Sequence, residues 1–193
     1  MRPYKIADWG VSAVNEVQNQ SEAPLFKTAT LNWSRPTRWS KEERLPSFDE
    51  DGPFVYALVR NHHRSASKDH IEYIGLTTSP ASRFGNHRTA KSIVNRRGEV
   101  GFSFAPVAMT GRNREARTKK ALEEIEHLLI WAVWHDLHNE RKTATLPGMG
   151  TKQPGSAWHI TNTGYRFAGR MPREIVYPWM LIKPGRDRSR KGG

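Results

Sequence analysis

The sequence predicts a mixed α/β fold, with a small central sheet of three mainly antiparallel strands flanked by helices and extended at both ends. Three observations point there. Two short apolar runs, Phe54–Val59 and Ile71–Leu76, each carry a tyrosine and are split by a polar loop, as paired strands are. Val100-Gly101-Phe102-Ser103-Phe104-Ala105 alternates in the manner of a half-buried third strand. Residues 118–138 repeat apolar side chains with the period of a helix.

Residues 1–52 form an N-terminal arm. Within it Val11–Val17 suits a short helix and Leu25–Trp33 has partial strand character. Arg35-Pro36-Thr37-Arg38-Trp39 is turn-like, basic and aromatic, and Pro46–Pro53 is a polar connector. The core, residues 53–145, opens with a strand over Phe54–Arg60, bounded by Gly52-Pro53. Asn61–Asp69 is a loop before the second strand. Ser79 is placed to cap a helix that has Pro80 at its first position, where proline is favoured. That helix runs to about Asn95 and stops at Asn95-Arg96-Arg97-Gly98. Arg83, His87 and Lys91 then fall at i, i+4 and i+8 on one of its faces.

On the 118–138 helix, Leu122, Ile125, Leu129, Ala132 and Val133 form a stripe, widened by Leu128, Ile130 and Leu137. Residues 146–193 form a C-terminal extension. The loop Thr143–Ser156 leads into it, followed by short strands at Trp158–Thr161, Tyr165–Phe167 and Ile175–Tyr177, with turns at Gly164 and Gly169. Pro178 argues that the last strand sits at an edge. The Arg-rich tail Gly185–Gly193 lacks apolar residues and predicts no fixed structure.

The 193 residues carry a net charge of +12 and no cysteine. No disulfide or thiolate zinc site can form, and a reducing, cytoplasmic setting is expected. The longest apolar run, Leu128–Trp134, is too short to span a bilayer. No stretch joins a basic face to a broad apolar one, so no membrane partner is expected. Between Arg83 and Lys120 stand ten Lys or Arg against two Glu, most of the charge excess. Such clustering points to a polyanion, most simply nucleic acid.

One residue breaks the helical pattern. Glu123 and Glu124 fall toward the edges of the apolar stripe or outside it, but Glu126 sits on it. A carboxylate on a buried face is costly unless paired or bound to a cation. A salt bridge to a buried arginine satisfies that requirement, and so does a role as metal ligand or general acid/base. His127, His135 and His138 share the helix, but His127 points away from the other two, which argues against zinc.

Phe54-Val55-Tyr56 and Tyr73-Ile74-Gly75 resemble the paired triplets of the GIY-YIG nuclease family. Arg83 stands where that family places its catalytic arginine, with His87 one helical turn later as in some members. Glu126 precedes Leu129-Ile130 as the family's metal-binding glutamate precedes a similar apolar pair. Asn139 falls where a family asparagine closes the helix region. The resemblance covers roughly residues 54–140. It departs at Phe54, which replaces glycine, at Val55, which replaces isoleucine, and in a longer insert between the strands.

The resemblance implies phosphodiester hydrolysis that depends on Mg²⁺ or Mn²⁺. Glu126 would anchor the cation, since a hard ion takes few protein oxygens and completes its shell with water and phosphate. Arg83 would offer its fork of donors to the phosphate. Tyr73 would orient or deprotonate the attacking water, with Tyr56 assisting, and His87 is the other candidate base. The expected partner is double-stranded DNA, its backbone tracked by Arg88, Lys91, Arg96, Arg97, Arg112, Arg114 and Arg117. Arg35 and Arg38 on the arm, with the C-terminal strands, would read sequence. Flanks on both sides of a minimal core favour a restriction-type endonuclease over a repair or mobile-element nuclease. Cutting both strands with one site per chain calls for a homodimer or two successive events. A non-cleaving nucleic-acid-binding module and an RNA-directed nuclease are the alternatives.

Overall fold

The structure, a computed structural model, describes residues 14, 16–61, 69–107, 114–134, 137–149, 155–179 and 181–185, and of residues 114–118 the backbone alone. The fold is mixed α/β with two four-stranded sheets, where the sequence predicts one sheet of three strands.

The first sheet has the order β2 (Thr37–Arg38), β5 (Glu99–Pro106), β3 (Phe54–Asn61), β4 (His70–Thr77), and all its pairings are antiparallel. Its centre is β3, whose residues Phe54–Val59 have no solvent exposure. Alternation along β3 supplies two cores. Phe54, Tyr56 and Leu58 face Trp39, Phe84, Ile93 and Phe102, beneath helices α1 (Pro80–Gly85) and α2 (Arg88–Val94). Val55, Ala57 and Val59 face the other way, toward α3 (Arg114–Val133). Phe54 earns its place by filling an aromatic cluster with Phe48, Tyr56, Phe102 and Phe104.

The second sheet joins the two ends of the chain, in the order β1 (Lys27–Trp33), β6 (Trp158–Gly164), β7 (Glu174–Tyr177), β8 (Leu181–Lys183). β1 and β6 are parallel, and the rest pair antiparallel. Its inner residues Leu31, Trp33, Trp158, Ile160 and Ile175 share one core with α3 and the first sheet. α3 is therefore buried from two sides, which explains the breadth of its stripe: Leu122, Ile125, Leu128, Leu129 and Ile130 are all at most 1% exposed.

Several local expectations are corrected. The helix expected from Pro80 to Asn95 is two helices, because His87 has a non-helical ψ of 87° and serves as N-cap of α2. Arg83, His87 and Lys91 consequently do not share one continuous helical face. The helix expected to reach His138 ends at Val133, and the chain is drawn to the edge of β4, where the His138 N–H donates to Glu72 O. The strand expected at Tyr165–Phe167 is instead irregular chain at Tyr165 and Arg166 that leads into a 3₁₀ turn at Phe167–Gly169. Gly164, with φ +74°, ends β6 at a point where a Cβ would stand 2.5 Å from Trp33 O. β7 is interior rather than at an edge, since Pro178 follows the strand and removes no ladder donor from it. Glu124 is buried, not peripheral: its carboxylate accepts from Trp158 Nε1 at 2.7 Å. The expected helix over residues 11–17 lies outside the described residues at 11–13 and 15, as do loop residues 62–68 and the tail from 186 onward.

A buried ion pair ties the first sheet to α2. Arg60, 2% exposed, donates through Nε to Glu72 Oε1 at 2.6 Å and through Nη2 to Glu72 Oε2 at 3.0 Å. The same guanidinium donates to Ile93 O, in the last turn of α2, and to Arg97 O, just beyond the helix. Glu72 occupies the register slip between β3 and β4, where Leu58 pairs with Tyr73 but Val59 pairs with Ile71. The extra residue of a bulge is re-aimed, and here it meets Arg60. Replacing Arg60 by Met strands a buried carboxylate and is expected to lower stability by about 3–5 kcal/mol. Adding Glu72→Met to that variant should restore much of the loss, as read from urea unfolding.

Candidate active site

Tyr56 lies at the middle of β3, opposite Gly75 of β4, and Tyr73 lies two residues before that glycine. A Cβ on Gly75 would stand 2.5 Å from the Tyr56 Cζ and hydroxyl. Only glycine lets the Tyr56 ring lie across the neighbouring strand at that point. The two tyrosine rings stack with centroids 6.1 Å apart.

His87 closes the group from the junction of α1 and α2. Its Nδ1 accepts the Ala90 N–H at 3.2 Å, so the neutral ring carries its proton on Nε2. Nε2 in turn lies 2.6 Å from the Tyr56 hydroxyl, to which it donates. Burial, aided by the nearby Arg83 charge, pushes His87 down to about 4. Arg83, in the last turn of α1, reaches the hydroxyls of both tyrosines. Burial raises Tyr56 well above the usual phenol value, and the neighbouring Tyr73 adds to the rise while Arg83 opposes it. Tyr73 is raised mainly by burial; Arg83 and a hydrogen bond from Tyr56 work to lower it.

Glu126 approaches from α3. It is 8% exposed, and its charge is felt by Tyr56, Tyr73 and Arg83. Its partner is Lys142, whose Nζ lies 2.5 Å from Oε2, rather than a buried arginine. Glu126 lines a cleft of about 870 Å³ together with Thr78, Ser79, Arg83, Lys120 and Lys142. It also lines a smaller cavity of about 270 Å³ with Tyr73, Asn139 and Lys142.

Glu126, which lines both cavities, is the carboxylate that could hold a cation here. Among the described residues no group of three or more His, Asp or Glu gathers into a cage. A hard ion held by one carboxylate would need water and substrate oxygens to complete its shell. His127 Nε2 is engaged by Thr145 O at 2.8 Å, and His138 Nε2 by Arg96 Nη1 at 2.7 Å. His135 lies outside the described residues.

The remaining sequence-selected residues are more dispersed. The Asn139 side chain accepts the Ile74 N–H at 3.1 Å and donates to Ile74 O at 2.7 Å. It thus covers the backbone of edge strand β4 just after Tyr73, which makes it a positioning residue. Arg35, Arg38, Arg88, Lys91, Arg96 and Arg97 are all exposed. Arg38 stands 3.8 Å from Glu99, and Lys91 Nζ donates to Gly85 O across the α1–α2 junction. Arg114 and Arg117 lie in the first turns of α3 with their side chains undescribed, and Arg112 is outside the described residues.

Sequence reasoning missed Lys142 and the Arg60–Glu72 pair. Lys142 follows Glu126 by sixteen residues across a helix end, so no periodicity links them. Arg60 and Glu72 left a faint signal: opposite charges on two apolar runs that pair as a hairpin. No protein-family model, curated protein or solved structure matches this chain. The resemblance to GIY-YIG nucleases therefore stands on the residues themselves.

The depressed His87 has a consequence for stability. The unfolded chain takes a proton near pH 6.5, the folded one near 4. Between those values the unfolded state binds more protons, so stability falls as pH drops through this window, by up to about 1.4 kcal/mol per pH unit. His87→Gln keeps a donor for Tyr56 but does not titrate. Urea midpoints measured from pH 7 to 4.5 should fall less steeply for this variant than for wild type.

Proposed function

We propose that this chain is a Mg²⁺- or Mn²⁺-dependent endonuclease that hydrolyses phosphodiester bonds in double-stranded DNA, sequence-specific and of the restriction type. The mutual approach of Tyr56, Tyr73 and Arg83, all within reach of the Glu126 charge, carries the reading; Arg83 and Glu126 line the large cleft, and Tyr73 and Glu126 the smaller cavity. These residues are separated by up to seventy positions in the sequence and come from β3, β4, α1 and α3. The exposed arginines and lysine on α2 and after it supply positive charge for a polyanionic backbone.

The residues divide the chemistry among themselves. Arg83 binds a phosphoryl oxygen and offsets charge that grows there in the transition state. Tyr73, only half-buried, is the hydroxyl that meets the attacking water. Tyr56 supports it from below with a hydrogen bond that favours the phenolate. His87 fixes the oxygen of Tyr56, and with both ring nitrogens engaged it is poorly placed to take a proton from water. Between the two candidate bases, this favours Tyr73. Glu126 would hold the divalent cation, which when bound polarises the phosphoryl oxygen and stabilises the leaving oxygen.

The Lys142 contact on Glu126 favours a second reading, a nucleic-acid-binding module that does not cut. Supercoiled plasmid incubated with Mg²⁺ or Mn²⁺ separates the two. Cleavage is expected from wild type, loss of detectable cleavage from Glu126→Gln, and a fall of roughly 10²–10³-fold from Arg83→Met. Binding without cutting under both metals would leave the second reading; a parallel RNA substrate identifies the nucleic acid.

The raised Tyr73 sets the pH dependence. With the phenolate as the active form, the single-turnover rate should climb by up to roughly tenfold per pH unit from 7 to 9. It should show no inflection near pH 6–7, because His87 titrates about 4. A plateau beginning near pH 7 would instead assign the base to an imidazole.

A further inference from the structure

The carboxylate that faces the two tyrosines carries a resident cation. Lys142 Nζ sits 2.5 Å from Glu126 Oε2, with the lysine side chain 31% exposed and the glutamate side chain 10%. Both residues line the large cleft and the small cavity beside Tyr73. Lys142 holds a backbone φ of +70°, a left-handed conformation that disfavours any residue with a Cβ and persists only where surrounding structure maintains it. The segment on which it stands is itself fixed, through Asn139 to Ile74 and through the His138 N–H to Glu72 O. Lysine carries a compact charge on a flexible four-carbon stem, so its ammonium can move several ångströms while the backbone stays in place.

Two positive charges compete for that carboxylate. A divalent cation at Glu126 is repelled by an ammonium already on the same group. The displaced ammonium would remain within the cleft that Arg83 also lines. We propose that Lys142 is a phosphate-binding residue held in reserve on Glu126: it neutralises the carboxylate in the metal-free site, yields it to the divalent cation, and then binds the phosphate alongside Arg83. The proposal rests on the reading of the site as a metal-dependent nuclease. It gives the cleft a resting state in which a buried carboxylate is never left unpaired. It also makes productive phosphate binding conditional on the metal being present.

Mn²⁺ binding, followed by electron paramagnetic resonance on the full chain without nucleic acid, tests the first half. Lys142→Met keeps most of the stem and removes the charge, and should bind Mn²⁺ about tenfold more tightly than wild type. Lys142→Arg keeps a cation and should stay within about threefold of wild type, which controls for disturbance of the left-handed turn. Inorganic phosphate titrated calorimetrically at saturating Mn²⁺ tests the second half. Here Lys142→Met should bind about tenfold more weakly than wild type, a change opposite in sign to that for the metal. Equal Mn²⁺ affinity in wild type and Lys142→Met, with binding lost in Glu126→Gln, overturns the competition and leaves the metal site standing. Unchanged phosphate affinity in Lys142→Met overturns the role at the phosphate. Absence of Glu126-dependent Mn²⁺ binding in every variant overturns the metal reading itself.

Discussion

The buried guanidinium of Arg60 is the constraint on which the site side of the fold depends. It joins the central strand β3, the bulge residue Glu72 on β4, and the end of α2 in one group of hydrogen bonds. Each of those elements also carries or abuts a site residue: Tyr56 on β3, Tyr73 next to Glu72, and His87 at the start of α2. A buried ion pair contributes little net stability compared with well-packed apolar side chains, but it is intolerant of losing one partner. Its value here is geometric. It pins α2 against β3 and β4, and so fixes the imidazole above the Tyr56 hydroxyl.

The two faces of the first sheet have different work. The face under α1 and α2 is a run of rings, from Phe54 through Tyr56 and Phe84 to Phe102, with Tyr56, Tyr73 and His87 among its polar members. Burial there holds the imidazole neutral and the Tyr56 phenol protonated. The opposite face joins α3 and the second sheet in a single core. Glu126 stands where α3 passes the edge of β4, so its carboxylate meets the cleft while Ile125 and Leu129 beside it remain in the core.

Tyr56, Tyr73, Arg83, His87 and Asn139 were legible as site residues through a resemblance in their order and spacing. Local rules added that the two tyrosines stand on runs whose strand character is plain from composition, whereas the close approach of Tyr56 to Gly75 emerged only when the strands paired. Glu126 was visible as a charge on an apolar stripe. Its partner was not, because Lys142 lies past the helix end in a loop without period. The break at His87 was also hidden: Pro80 to Asn95 reads as one helix until the imidazole finds Tyr56 and caps α2 instead. Glu124 was misjudged for the same kind of reason, since its partner Trp158 comes from the second sheet.

By itself the sequence determined the strands around Tyr56 and Tyr73, the amphipathic course of α3, the positive charge and the misplaced Glu126. All of these follow from periodicity or composition within a few turns of chain. Tertiary structure alone decided that the two ends of the chain pair as β1 and β6, in parallel and more than a hundred residues apart. It likewise decided that Arg60 meets Glu72 and that Lys142 meets Glu126. Pairings of that kind depend on which buried charges come within hydrogen-bond reach once the core has closed, and no local pattern encodes that distance.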